Sequence, residues 1–264
     1  MSIVYRVTEI YIYPIKSLAG ISLTSSKAEE MGFENDRRWM LIDAENQMLT
    51  QREHRIMSQF YPQILDGKIG IAFQDQKHEF SVDDSWGNII EVNVWDDKSE
   101  VVEVNQETSK WFSQHLGFEC KLVKILRNGA RKHESSRLKE TFNVSLADGY
   151  PYLLIGSKSL DFLNDKLDEK ITIKRFRPNI VVSSINPHEE DDFATFTIGE
   201  VQFKNIKPCG RCVMVNNDPE NGRLKKEPLK TLSKYRNVDN SVLFGTNIVS
   251  LNSGIISVGD EVVF

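Results

Sequence analysis

The sequence predicts a mainly β fold of the α+β class: an antiparallel barrel or sandwich with a β-rich unit ahead of it and few helices. Three observations predict it. Short runs rich in Val, Ile, Phe and Tyr recur along all 264 residues, turn residues join several of them into pairs, and only two segments hold a convincing helical period.

In chain order, Arg38–Asp43 (RWMLID) reads as a strand, Ala44-Glu45-Asn46 turns the chain, and Gln47–Arg52 (QMLTQR) returns. KIGIAFQD (68–75) and HEFSVDD (78–84) form a second hairpin. The first helix covers Glu107–Leu116, with Trp111, Phe112 and His115 at helical spacing. Cys120–Leu126 is a strand. Arg127–Glu140 (RNGARKHESSRLKE) has no periodicity and reads as a long surface loop. The second helix, Ser157–Leu167, repeats Leu160, Leu163 and Leu167, with Ser157 and Ser159 as candidate N-caps. Asn179–Ser184 is a strand, FTIGEVQF (196–203) folds back about Gly199-Glu200, and Cys212–Asn216 (CVMVN) is one more strand. Pro228–Tyr235 makes a third helix, because proline costs nothing at a first helical position. IISVGDEVVF (255–264) closes the chain about a tight turn at Gly259-Asp260. Composition places a domain boundary near residue 120, giving units 1–120 and 121–264.

Hydrophobic residues make up 40% and charged residues 27%, with 8 Pro and 15 Gly, the balance of an ordinary globular chain. A formal net charge of −5 argues against a bulk nucleic-acid binder, which needs a cationic face to displace counterions. A local basic pocket stays open. The start MSIVYRVTEIYIYPIKS is broken by Arg6 and Glu9, so no signal peptide is expected, and no apolar run approaches the roughly 18 residues that span a bilayer. The expectation is a cytoplasmic protein with no membrane and no nucleic acid as partner.

Cys120, Cys209 and Cys212 are the three cysteines, an odd number that fits a reducing compartment. Two of them sit in PCGRCVMVNNDPENGR (208–223) at C-x-x-C spacing. A structural zinc site lacks its second half, since the five histidines form no close pair. A thioredoxin-like pair wants a helix N-terminus, whereas Val213-Met214-Val215 reads as a strand. Two readings remain: small buried residues near a strand start, or one thiolate serving a metal whose other ligands come from a cofactor. The second reading demands an anion pocket elsewhere.

PCGRC with DPENGR, Phe176–Asn179 (FRPN), Ile12–Ser17 (IYPIKS), Asp36–Asp43 (DRRWMLID), and the closing Leu243-Phe244-Gly245 and Val258-Gly259-Asp260 occur together in this order. The combination resembles the MOSC family, in the form that has an N-terminal MOSC β domain before the MOSC domain. The mitochondrial amidoxime reducing component and its bacterial relatives have that form. The resemblance implies the molybdenum cofactor, a molybdopterin whose dithiolene holds the metal and whose phosphate anchors it. It assigns Cys212 as the metal ligand and leaves Cys209 without that role. Lys16, Ser17 and Arg37 then suit the phosphate, while Arg177, Asn179, Gly210 and Arg211 suit the pterin or a substrate oxygen. Arg38, Thr50, Arg52 and Arg175 lie near these motifs. Taken alone, Lys16-Ser17 is a solvated loop and Arg177-Pro178-Asn179 merely leads into a strand.

This chain departs from the pattern at two places. Gly210 stands where relatives tend to have Ser, and Gly149-Tyr150 where they have Thr-Ser. It also has no iron–sulfur cysteine set, and no targeting segment is expected. The implied activity is reduction of N-hydroxylated compounds such as amidoximes, hydroxylamines or N-hydroxylated bases. Electrons would come from an external carrier of cytochrome b5, ferredoxin or flavodoxin type and its reductase, because no dinucleotide fingerprint is present. The rivals are a molybdenum-cofactor or sulfur carrier without turnover, and a β-rich binding module with incidental cysteines.

Overall fold

The computed structural model describes residues 4–126, 131–134 and 140–264. Seven strands close into a barrel. Tyr152–Gly156 pairs with Ile180–Val182, which continues through Tyr5–Ile12, Glu261–Val263, Thr195–Ile198, Val201–Arg211 and Ser241–Ser250 back to Tyr152–Gly156. Closure satisfies the backbone groups that a sheet edge would leave open. Alternate side chains point inward, so Val7, Ile10, Ile12, Leu154, Ile180, Phe196, Phe203 and Ile248 fill the interior.

A second assembly packs beside the barrel. Trp39–Asp43, Cys120–Ile125, Asp97–Glu103 and Trp86–Val94 form a four-stranded sheet in that order, and Tyr61–Leu65, Lys68–Phe73 and Gln76–Ser81 form a meander. Helix Gln106–Leu116 lies over them. Asn105 caps it, its side chain accepting from Thr108 N at 2.8 Å, and Gly117 ends it at φ 84°. Phe60, Phe73 and Phe112 of this core meet Ile15 and Leu18, residues that follow the first barrel strand. That connection is also stitched to the segment before Trp39: Lys16 N donates to Trp39 O at 2.7 Å and Arg37 N to Tyr13 O at 2.9 Å. The two assemblies therefore share a seam built from residues 13–18 and 36–39.

The hairpins 68–81 and 195–211 form as expected, the latter turning at Gly199 with φ 57°. Other expectations need correction. Val213–Asn216 is a 3-10 turn, because the barrel strand ends at Arg211 and Asn217 N bonds back to Met214 O at 3.0 Å. Within it Val213 is exposed and Val215 buried, with no period of two that would mark a strand. Gly254–Ser257 and Glu261–Val263 flank the turn at Gly259 but join different sheets. Gln47–Arg52 makes only bridge contacts.

The second and third helices are shorter than expected, Ser157–Asn164 and Leu229–Leu232. Neither Ser157 nor Ser159 caps the second, whose N-cap is Gly156. Arg131–Glu134, read as loop, is a strand paired with Thr141–Val144. Arg131 is buried against Asp97 and the Ala147 carbonyl, burial that a charged sequence hides. Residues 127–130 and 135–139 of that reading lie outside the described residues. Among the described residues no helix is long and apolar enough to cross a membrane.

Ser159 instead donates its hydroxyl to both carboxylate oxygens of Glu190 at 2.8 Å. Burial drives the Glu190 pKa up to about 7, against the pull of that hydrogen bond. A carboxyl whose folded pKa is raised contributes its stability fully below the unfolded pKa and loses it as pH rises through the folded one. About 3 kcal/mol held at pH 4 is therefore expected to be gone by pH 9. Denaturant midpoints from pH 4 to 9 should show that loss, and Glu190→Gln should remove most of the slope.

Candidate functional site

A cleft of about 420 Å3 opens at the barrel end where strand Tyr5–Ile12 finishes and strands Tyr152–Gly156 and Ile180–Val182 begin. It lies at the seam with the second assembly. Lys16, Ser17, Arg37, Arg177, Asn179, Gly210, Arg211 and Cys212 all line it, as do Thr50, Arg52 and Arg175. Arg38 does not; it turns away to Glu29 at 3.2 Å.

Backbone geometry aims several of these side chains. Ser17, Arg37 and Arg177 have φ of 67°, 50° and 55°, a left-handed region that costs a non-glycine residue about 1 kcal/mol or more and persists where its surroundings enforce it. The barrel strand 201–211 carries register shifts at 205/207 and 208/210. Such bulges bend a strand and redirect its end, here delivering Cys209–Cys212 to the cleft.

Two guanidinium groups sandwich one phenol: Arg37 lies 4.2 Å and Arg177 4.1 Å from the Tyr13 ring centroid. Arg37 also donates to Asp36 at 2.6 Å and to the Asn179 side-chain oxygen at 3.0 Å. Asn179 is the latch of this group. Its oxygen also accepts from Leu153 N at 3.3 Å, and its amide nitrogen donates to Tyr11 O at 3.2 Å and Asp36 at 3.1 Å. Every group of its amide is thus committed within the protein, so Asn179 sets Arg37 in place and has no amide atom left for a ligand. Burial and the adjacent Arg37 charge draw the Arg177 pKa down to about 10, which still leaves it cationic at neutral pH.

Lys16 is buried and donates to Leu146 O at 3.0 Å and to Asp148. Burial lowers its pKa, with Asp148 opposing. The Asp148 side chain is 69% exposed at the mouth of the cleft. Crowding by protein works to raise its pKa, but the Lys16 charge and the bonds from Lys16 and Trp95 outweigh that and hold it far below the carboxylate range. Trp95 donates Nε1–H to Asp148 at 3.0 Å, and Arg52 stacks 4.1 Å from its ring. Arg175 pairs with Asp218 at 3.2 Å, which makes the DPENGR loop a brace for the cleft wall.

Around the sulfurs, Arg211 donates to Cys209 Sγ at 3.1 Å and to Phe176 O at 2.6 Å, while its buried Nε has no partner among the described residues. Cys209 is half-buried and Cys212 exposed. A Cβ on residue 210 would sit 2.5 Å from the Ser241 hydroxyl, so glycine there lets Ser241 close in where a side chain would stand. Gly149 and Tyr150 line the cleft too. No cluster of three or more metal-ligating side chains occurs among the described residues. Cys120 is buried beside Ser113, away from this site.

Sequence reasoning missed Tyr13, Asp36, Trp95 and Asp148. Tyr13 and Asp36 sit inside the IYPIKS and DRRWMLID stretches, where neighbours drew attention first. Trp95 gave no local signal, since it reaches the cleft only because its hairpin tip folds over residue 148.

The lining holds six cations, Lys16, Arg37, Arg52, Arg175, Arg177 and Arg211, against one carboxylate, Asp148, in a chain of net charge −5. That concentration of positive charge in a recess fits a multiply charged anion. Pyrophosphate is expected to raise the melting temperature of the full chain, less so as salt increases. Arg177→Gln should weaken its binding about tenfold; equal binding by the variant would remove Arg177 from the anion site.

Comparison with known proteins matches residues 4–119 to the MOSC N-terminal beta barrel domain and residues 141–263 to the MOSC domain. The chain is 30% identical to a molybdenum cofactor sulfurase of Arabidopsis thaliana over 96% of its own length, spanning 34% of that protein. It is 29% identical to the mitochondrial amidoxime-reducing component 1 of Mus musculus, covering 97% of this chain and 81% of the relative. With the Homo sapiens component 1 it shares 28% identity over 97% of this chain and 82% of the relative. The closed barrel, the seam and the two matched domains agree: this chain belongs to the MOSC family, with an N-terminal MOSC β-barrel domain ahead of the MOSC domain.

Proposed function

We propose that the cleft binds the molybdenum cofactor, with Cys212 as the protein ligand of the metal, and that the chain reduces N-hydroxylated compounds. One observation carries this reading: an exposed thiol and six cations line a single recess. The donor set fits the group. A thiolate suits molybdenum, and guanidinium forks suit a phosphate monoester.

Bound there, the cofactor supplies a two-electron metal centre that takes oxygen from an N–O bond. The chain supplies placement and charge. Lys16, Arg37 and Arg177 hold the phosphate, and Asn179 and Asp36 keep Arg37 aimed at it. Arg211 donates to Cys209 and to the Phe176 carbonyl, which fixes the charge nearest the metal ligand. Electrons come from an external carrier of cytochrome b5, ferredoxin or flavodoxin type and its reductase.

Protein purified from a host that makes the cofactor should contain molybdenum, give oxidised-pterin fluorescence, and reduce benzamidoxime with a chemical donor. Similarity to the sulfurase, of which the chain spans only about a third, supports a second reading as a cofactor or sulfur carrier. Cofactor without turnover across a broad N-hydroxylated panel would select that reading; absence of both would reject the two together.

A further inference from the structure

The one carboxylate that lines the cleft is only half used. Asp148 Oδ1 accepts from Lys16 and from the Trp95 indole, the latter at 3.0 Å, whereas Oδ2 has no hydrogen bond among the described residues and the side chain is 69% exposed. Two ties fix this carboxylate against the indole. One is the Trp95 bond itself; the other runs from Asp97, on the same hairpin, to buried Arg131, which donates to the carbonyls of Ala147 and Asp148. Trp95 has φ 58°, a left-handed conformation uncommon for so bulky a residue. Such strain persists where the surroundings enforce it, and it gathers at functional positions. With Arg52 stacked on its ring, Trp95 still keeps 37% exposure at the cleft.

An ionised oxygen without a partner selects its ligand by sign and by hydrogen. It repels an anion and any group that can only accept. A cation is drawn to it but opposed by the six cations that line the same cleft. A neutral group with an N–H to give meets neither objection. We propose that Asp148 and Trp95 are the specificity-determining pair of this cleft: Oδ2 takes an N–H from a neutral substrate, and the indole takes the flat body attached to it. The two surfaces adjoin, because the indole N–H is bonded to the other oxygen of the same carboxylate, and flat rings pack well on an indole. Among N-hydroxylated compounds the pair favours aromatic amidoximes, which carry an amino group on the oxime carbon, over oximes and N-oxides that lack that donor. This inference rests on the reading that N-hydroxylated compounds enter the cleft.

The test is binding, followed by ligand-observed NMR, to the full chain purified from a cofactor-making host and kept without an electron donor. The probes are benzamidoxime, acetophenone oxime, which has a methyl in place of the amino group, and acetamidoxime, which has no ring. Benzamidoxime is expected to bind at least about tenfold tighter than either of the others. Asp148→Asn keeps an oxygen for Lys16 and Trp95 but puts an NH2 where Oδ2 stood, so it should erase the preference over acetophenone oxime while leaving acetophenone oxime itself unchanged. Trp95→Leu should erase the preference over acetamidoxime. The comparison of probes on the unaltered chain decides the matter even if neither variant folds. Benzamidoxime that binds the unaltered chain no tighter than acetophenone oxime, or a preference retained by Asp148→Asn, overturns the proposal. If that protein nevertheless reduces benzamidoxime, the proposed activity stands without this pair; the expected preference in a protein with no turnover supports the pair and counts against the activity.

Discussion

Cys212→Ser is expected to reduce molybdenum content and benzamidoxime turnover to background, while Cys209→Ser keeps both within about tenfold of wild type. The two sulfurs are three residues apart and differ in every relevant respect. Cys212 is exposed on the cleft at the head of the 3-10 turn Val213–Asn216, with extended backbone at φ −105°. Cys209 is half-buried against the apolar cluster of Phe176 and Phe244 and accepts from Arg211 at 3.1 Å. Serine matches cysteine in shape, so neither change should disturb the fold, but a hydroxyl does not provide the soft anionic donor that a thiolate does. Losing the Cys209 sulfur only loosens Arg211, which keeps its bond to Phe176 O. Molybdenum per chain and turnover, measured on both variants with unchanged melting temperatures, decide the matter. Equal loss in both would remove Cys212 from its assigned role.

The barrel hairpin Thr195–Ile198 to Val201–Phe203 was legible because burial on one face writes a period of two into the sequence, whereas Tyr152–Gly156, buried on both faces, was not picked out. Helix Gln106–Leu116 was legible for the same reason at its own period, and it carries both a capping Asn105 and a terminal Gly117. What failed was partner choice. Gly254–Ser257 has the pattern of a hairpin arm, yet it pairs with Ser25–Glu29, more than two hundred residues away. Nothing local encodes that.

The site divides along the same line. Residues inside contiguous motifs, such as Lys16, Arg37, Arg177 and Cys212, could be found from the sequence and line one cleft. Trp95 and Asp148 acquire meaning only through each other, 53 residues apart in the chain. Asn179 shows the opposite case: its motif was legible, but the structure gives its amide four internal bonds.

Asp36→Ala is expected to be the most damaging single change to the fold at this site. Asp36 is fully buried and accepts three bonds: from Tyr13 N at 2.7 Å, Arg37 at 2.6 Å and Asn179 at 3.1 Å. Removing it orphans the Tyr13 backbone donor and one N–H of the Asn179 amide, and leaves Arg37 without its counter-charge. Breaking a buried pair in this way costs about 3–5 kcal/mol. Arg37 keeps 13% exposure through the cleft, which lets water take up part of the loss, so about 3 kcal/mol is expected, a fall of roughly 6–12 °C in Tm. Asp36→Asn keeps an oxygen for Tyr13 N but turns an NH2 toward two donors, Arg37 and the Asn179 amide nitrogen, so it should cost nearly as much as Asp36→Ala. Both variants should also weaken pyrophosphate binding, because Arg37 loses the partner that aims it. Calorimetry with and without pyrophosphate separates the two effects. A Tm for Asp36→Ala within about 1 °C of wild type would show that the Tyr13–Arg37–Asn179 group holds without its carboxylate, and the seam would then owe its rigidity to apolar packing around Ile15 and Trp39.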